Sequence, residues 1–152
     1  MNGSATATVK VTQVGVQIGY ATGAAADQDI SLTIRSTANT TGTHTAVTGV
    51  SRDAAATTPA TATATFVYYT APPSALGTSL GIIRTKKFNQ FSASATTNGI
   101  DSVIWNFNNN NEQPLILRGV ANGLAITNGG TAFDTLPLVV ISLTTTEEAL
   151  TA

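Results

Sequence analysis

Apolar and polar residues alternate along much of this chain, and a period of two is typical of β-strands rather than helices. In the first alternating segment the apolar positions change from odd to even numbers: Val9 and Val11, then Val14, Val16, Ile18 and Tyr20. One extra residue in a strand reverses the phase in this way, so we predict a β-bulge near Thr12 and Gln13. Sustained helical spacing is almost absent from the rest of the chain.

Several later segments have the composition of strands and are bounded by turn residues. The candidate strands are residues 30–34, 61–70, 79–84, 88–95, 102–108, 115–121, 124–127 and 137–143. The last one is nearly continuously apolar, which predicts a strand covered on both faces. Short strands at this spacing predict an all-β fold, either an antiparallel β-sandwich or a jelly-roll-like barrel.

The length of 152 residues predicts one β domain that spans residues 1–152. Its first half, about residues 1–78, is rich in Thr and Ala, whereas about residues 79–146 contain more large apolar side chains. Residues 147–152 are expected to form a tail, with a helical turn as the alternative. The order of residues 36–62 is left open, because large apolar side chains are scarce there.

The segment NNNNEQPLILRGVANGLAI contains two candidate turns. Asn122-Gly123 lies between two apolar runs and fits a two-residue type I′ hairpin, which requires positive φ at both turn positions. Residues 108–111 are four consecutive Asn and are interpreted as a polar loop. A phosphate-binding loop would need a glycine-rich turn between a strand and a helix, with a Lys in register, and that pattern is missing.

Charged residues are only 10% of the chain, against about 25% in ordinary soluble proteins, and the formal net charge is −1. Such a chain has no strong field to attract nucleic acid or acidic lipid, so we expect neither nucleic acid nor a membrane as a partner. The Thr-rich, Pro-interrupted segments do not have the composition of membrane spans. Weak charge repulsion instead favours association with other protein subunits. There are no cysteines, which excludes disulfides and Cys-based zinc sites.

Groups that could carry chemistry have no supporting neighbours in the sequence. His44 lacks a nearby carboxylate and nucleophile, and Asp27 and Asp29 are too few for a Ca²⁺ site, so they are interpreted as a turn and strand cap. Three further acids stand in loop-like contexts, although they could converge as a glycosidase-like pair: Asp101, Glu112 and Asp134. We therefore predict no catalytic, cofactor-binding or metal-binding residue, and expect that the protein is not an enzyme.

The single cluster of basic residues comprises Arg84, Lys86 and Lys87. A charged strand edge of this kind protects a sheet against unwanted edge pairing. The functional alternative is an electrostatic docking site for an acidic protein partner. Nucleic-acid binding would need more positive charge and stacking aromatic side chains.

Trp105 is the predicted core anchor of the second half, because Val103, Trp105 and Phe107 fall on one face of a candidate strand. The alternative interpretation is an exposed aromatic platform for a sugar ring, formed by Trp105 or Tyr69. That arrangement is typical of a carbohydrate-binding module or an adhesin.

From residue 82 to residue 148 the chain resembles surface β-sandwich proteins of tailed-bacteriophage particles, of the capsid cement or decoration type. The resemblance rests on SVIWNFNNNNEQPLILRGVANGLAI, followed by a Gly-Gly turn and a closing strand. It implies a homotrimer on the capsid exterior, with the major capsid protein as partner and no catalytic residues. No site residue is carried over from the family. A phage tail or fibre component is the alternative within the same particle.

Overall fold

A computed structural model describes residues 1–19, 26–50, 63–71, 73–90, 100–109, 111–128 and 139–150. These residues form nine strands and no helix: β1 (Ala7–Ile18), β2 (Ala26–Arg35), β3 (His44–Val47), β4 (Phe66–Tyr69), β5 (Ser79–Gln90), β6 (Asp101–Asn106), β7 (Leu115–Arg118), β8 (Gly123–Thr127) and β9 (Val139–Ala149). Every pair that these strands form is antiparallel. The prediction of an all-β antiparallel fold is therefore confirmed.

The strands form two main sheets and a separate ribbon. In the first sheet β1 is central, with β9 on one side and β6 and β7 sharing the other side. The second sheet has the order β5-β2-β8, and β3 and β4 form the two-stranded ribbon. No sheet among the described strands closes into a barrel, so the fold is consistent with the sandwich of the two predicted alternatives.

One core cluster joins the two main sheets. Its fully buried members come from both of them, and include Val9, Val11, Val14, Ile18, Leu32, Phe88 and Leu117. Trp105 belongs to the same cluster, with 8% of its surface exposed. The apolar positions that alternate in the sequence are thus the positions that leave water, which is the main favourable contribution to folding.

The β-bulge predicted near Thr12 and Gln13 is confirmed. Val11 pairs with Thr145 and Gln13 pairs with Thr144, so that Thr12 is an extra residue of β1 relative to β9. The polar groups of Thr12 are used there: its carbonyl accepts a hydrogen bond from Phe107 N at 2.8 Å, and its hydroxyl donates to the Thr144 carbonyl at 3.2 Å. The bulge therefore leaves neither the carbonyl nor the hydroxyl of Thr12 without a partner.

The prediction for Asn122-Gly123 as a two-residue hairpin is wrong. The left-handed residue of this turn is Gly119, with φ of 72°, and Gly123 already belongs to β8. Because β7 pairs with β1 whereas β8 pairs with β2, the connection passes between the sheets instead of joining neighbouring strands. Asn122 closes the turn by accepting a hydrogen bond from Arg118 N through its side chain, at 3.3 Å.

Three other expectations about strands are corrected by the structure. The segments 79–84 and 88–95 are not separate strands, since β5 runs without a break from Ser79 to Gln90, and residues 91–95 lie outside the described residues. The tail expected from residue 147 is a strand as far as Ala149. The apolar run at 137–143 is not covered on both faces, because Val140 and Ile141 in β9 are 45% and 46% exposed.

Candidate functional site

The predicted docking cluster lies on β5, and each of its three cations is paired within the molecule. Lys86 Nζ lies 2.6 Å from an Asp101 carboxylate oxygen, and Lys87 Nζ lies 2.8 Å from one of Asp27. Arg84 forms the third ion pair, with Glu112. Side-chain hydrogen bonding and charge from Asp27 raise the pKa of the exposed Lys87 above its ordinary value.

Two of these cations also lie over aromatic rings. The guanidinium carbon of Arg84 is 5.3 Å from the centre of the Phe107 ring, and Lys86 Nζ is 4.9 Å from that of Phe88. Both contacts are of the cation–π type, which holds the cation in one orientation. The cluster therefore ties β5 to the start of β6 and to the segment before β7, and offers a partner little unpaired charge.

A second candidate surface lies between β2 and β5. Arg35 and Ser79 are register partners, and the chain between them forms an excursion that contains the β3–β4 ribbon. We call its described residues, 36–50, 63–71 and 73–78, the arm. They contain no Asp, Glu, Lys or Arg; Arg52 and Asp53 belong to the same stretch of sequence but lie outside the described residues. All four residues of β3 are exposed, including Val47, of which 50% is accessible to solvent. Tyr68 of β4 is 54% exposed.

The base of the arm, where the chain leaves β2 and returns to β5, is fixed by contacts between its two strands of chain. Arg35 is buried and donates a hydrogen bond through its guanidinium to the Gly77 carbonyl, while Gly77 N donates to the Asn39 side chain at 2.8 Å. Only glycine fits at position 77, because a Cβ atom there would collide with the Thr37 carbonyl oxygen. Farther out, an isolated bridge joins Thr40 to Ala75.

The segment of the arm just before β4 is fixed to the other sheet and to the first residues of the chain. The Glu147 carboxylate of β9 accepts hydrogen bonds from Thr63 N at 2.9 Å, Thr63 Oγ1 at 2.7 Å and Ala64 N at 3.0 Å. Asn2 and Thr65 exchange two backbone hydrogen bonds. Ala64 is buried and Phe66 packs against the core, so this segment of the arm is part of the domain.

A third surface is the outer face of the first sheet. Gly15 of β1 lies in register between Ile104 and Ser142, and a Cβ atom at Gly15 would collide with the Ser142 hydroxyl. All three residues line a groove of about 190 Å³. Ile104 is 62% exposed and Val140 lies on the same groove. Apolar side chains are therefore exposed to water here, and exposed apolar patches are typical of protein-binding surfaces.

A polar groove of about 240 Å³ lies beside the bulge. It is lined by Thr12, Gln13, Asn106, Phe107, Asn108, Asn109 and Thr144. Gln13 Nε2 donates to Asn106 Oδ1 at 2.9 Å, so two of the lining amides already satisfy each other. Asn108 and Asn109, from the run interpreted as a polar loop, form one wall, and Asn108 and Asn111 adopt positive φ.

The remaining candidates do not assemble into a chemical site among the described residues. His44 is on the exposed β3, with its ring 5.6 Å from that of Tyr69. Asp27 and Asp29 are in β2, and Asp101 and Glu112 pair with cations of β5. Within the described part of the chain, no group of three or more His, Asp or Glu could hold a metal ion. Asp134 lies outside the described residues.

Searches of protein-family models, curated proteins and solved structures found no match to this chain. No helix of the described residues is long and apolar enough to cross a membrane.

Sequence reasoning missed the two residues that shape these surfaces most, Glu147 and Gly15. Glu147 stands in a charged C-terminal segment and its donors are far away in the sequence, so no local signal marks it. Gly15 interrupts an otherwise regular alternation of large side chains, and a glycine inside a strand is a recognised sign of a close approach or a groove.

Proposed function

We propose that this protein is a non-enzymatic structural protein of a virion, which binds and stabilises the capsid exterior as an oligomer. The observation that carries the proposal is the arm. It exposes apolar and hydroxyl side chains and its described residues contain no acid, Lys or Arg. Burying the described part of this surface against another protein requires no desolvation of charge, which is a costly step in forming an interface.

In the proposed mechanism, apolar and main-chain contacts supply most of the affinity. The arm contacts the major capsid protein, and the apolar outer face of the first sheet contacts other subunits of a homotrimer. Many copies on one lattice then strengthen the shell through avidity, even where each contact is modest. Arg84, Lys86 and Lys87 contribute only a small, salt-sensitive share, because each of them already has a carboxylate partner.

The test is to mix the purified protein with capsids that lack it, then measure co-sedimentation and the heat resistance of the particles at low and high salt. Two variants localise the contact, Val47→Asp on the arm and Val120→Asp in the turn after β7. The two valines are similarly exposed, at 50% and 60%. We expect Val47→Asp to lower binding about tenfold or more and Val120→Asp to leave it unchanged.

The contrary results are as specific. A stable monomer that does not bind capsids but is retained on a polysaccharide column would overturn the proposal in favour of a carbohydrate-binding function. Equal effects of Val47→Asp and Val120→Asp would remove the arm from the interface. Binding that disappears in moderate salt would mean that the cations of β5 dominate.

A further inference from the structure

Among the described carboxylates, Glu147 accepts the most hydrogen bonds from the arm. Its two oxygens accept from Thr63 N, Thr63 Oγ1 and Ala64 N at 2.7–3.0 Å. Hydrogen bonds to an ionised acceptor are about twice as strong as neutral ones. Part of the attachment of the segment before β4 therefore depends on one negative charge.

The position of Glu147 in the sheet places its side chain next to the core. In β9 it is the register partner of Val9, which is fully buried, so its side chain starts from the core-facing side of the first sheet. The residue that it holds, Ala64, is itself buried. Loss of these hydrogen bonds would leave the partly buried Ala64 N and the exposed Thr63 N without their acceptor, and for Ala64 N this is unfavourable in the closed position.

We propose that Glu147 is an acid-sensitive latch, which as a carboxylate holds Thr63 and Ala64 against β9 and on protonation releases this segment of the arm. The latch belongs to the fold of the isolated protein. It holds whether or not the arm contacts a capsid, so its test is independent of the proposed function.

The direction of the pH dependence follows from the environment of Glu147. Burial is the largest single influence and raises its pKa, but the hydrogen bonds from Thr63 and Ala64 together outweigh burial and leave the pKa below its ordinary value. A carboxylate with a lowered pKa in the folded state stabilises that state above the ordinary pKa. This contribution is lost as the pH falls through the folded value. The latch is therefore closed at neutral pH and opens in acid.

Other ionisable groups on the neighbouring elements can be separated from Glu147. Glu148 of β9 and Lys10 of β1 form an ion pair on the opposite face of the sheet. The Met1 ammonium donates to the Leu124 carbonyl, and burial lowers its pKa. His44 on β3 has its ring against that of Tyr69.

Hydrogen–deuterium exchange of the segment 63–71 tests the latch. For each pH from about 7 to about 3, the exchange rate of Glu147→Gln is divided by that of the wild type, which cancels the intrinsic pH dependence of exchange. We expect a ratio of about ten or more at neutral pH, because the amide keeps the shape but loses the charge. The ratio should fall towards one in acid, where the wild-type latch opens too.

Two further variants make the test decisive. Glu148→Gln, on the same strand, should leave the exchange of residues 63–71 unchanged. Thr63→Val removes one of the three donors without touching β9, and should give a smaller increase than Glu147→Gln. If Glu147→Gln does not fold, Thr63→Val and the wild-type acid profile decide, with residues 26–35 as the internal reference for global unfolding. A ratio of one at neutral pH, or one that stays constant into acid, would overturn the latch.

Discussion

Val11 and Val14 both point into the core although they are three residues apart in one strand, because Thr12 is an additional residue of β1 relative to β9. In a regular strand, residues three apart lie on opposite faces. The bulge thus allows two alternating segments of opposite phase to serve the same core. The stability of the first sheet depends on the number of residues at this point as much as on their identity.

We predict that deletion of Thr12 unfolds the protein or nearly so. Without the extra residue, one half of β1 must turn its buried valines to the outer face, at about 1.5–3 kcal/mol for each side chain exposed. Several such losses are comparable to the whole stability of a small domain. Thr12→Ala is the matched control, and should cost only about 1 kcal/mol, for the hydroxyl bond to Thr144. Urea unfolding followed by circular dichroism measures both.

The turn before β8 gives a second prediction, at Gly119. Its φ of 72° favours glycine, and a Cβ atom added there would meet no atom within 4 Å, so that strain alone decides the outcome. Gly119→Val should cost about 1–3 kcal/mol, whereas Gly119→Asn should cost little, because Asn tolerates this conformation. Thermal melting compares the two variants, and equal melting temperatures would contradict the left-handed conformation.

Trp105 gives a third prediction, which its fluorescence can test directly because it is the only Trp of the chain. With 8% of its surface exposed, its emission should be blue-shifted and poorly quenched by iodide. Trp105→Ala should destabilise the fold by about 3–5 kcal/mol. A readily quenched, red-shifted emission would instead favour the sugar-platform interpretation.

The ion pairs of β5 give a fourth prediction, about two neighbouring lysines. Lys86 Nζ donates to Asp101 and to the Ser102 carbonyl at 2.8 Å, and lies over the Phe88 ring. Lys86→Met should therefore destabilise the fold by about 1 kcal/mol, and by less in high salt. Lys87→Met removes a solvent-exposed pair and should leave the unfolding midpoint unchanged. A larger effect of Lys87→Met would show that exposed charge matters more here than the bridge from β5 to β6.

The strands and the bulge could be predicted from the sequence because they follow from local periodicity. The alternation of Val9, Val11 and Val14 contains both the strand and its change of phase. The Asn122-Gly123 prediction was wrong because a dipeptide preference is local, whereas the sheet that each flanking strand joins depends on distant partners. In this chain β7 and β8 join different sheets, and the turn between them does not need hairpin geometry.

The surfaces were harder to predict, because their charges are neutralised by residues far away in the sequence. The cations Arg84 and Lys86 have the composition of a docking site, yet their carboxylate partners Glu112 and Asp101 follow much later in the chain. Glu147 has the composition of a tail, and its donors are 83 and 84 residues away. The scarcity of charge between Arg35 and Ser79, in contrast, can be read directly from the sequence, in which only Arg52 and Asp53 are charged.

The pairing of β1 with β9 has a consequence for the order of folding. The central strand of the first sheet comes from the first residues of the chain, and one of its edges is completed only by the residues from Val139 onward. Loops this long close slowly, so we expect refolding in about milliseconds to seconds, as for other proteins rich in distant contacts. Until β9 docks, one edge of β1 remains unpaired next to its apolar side chains. At high protein concentration, pairing between the β1 segments of two chains competes with correct folding.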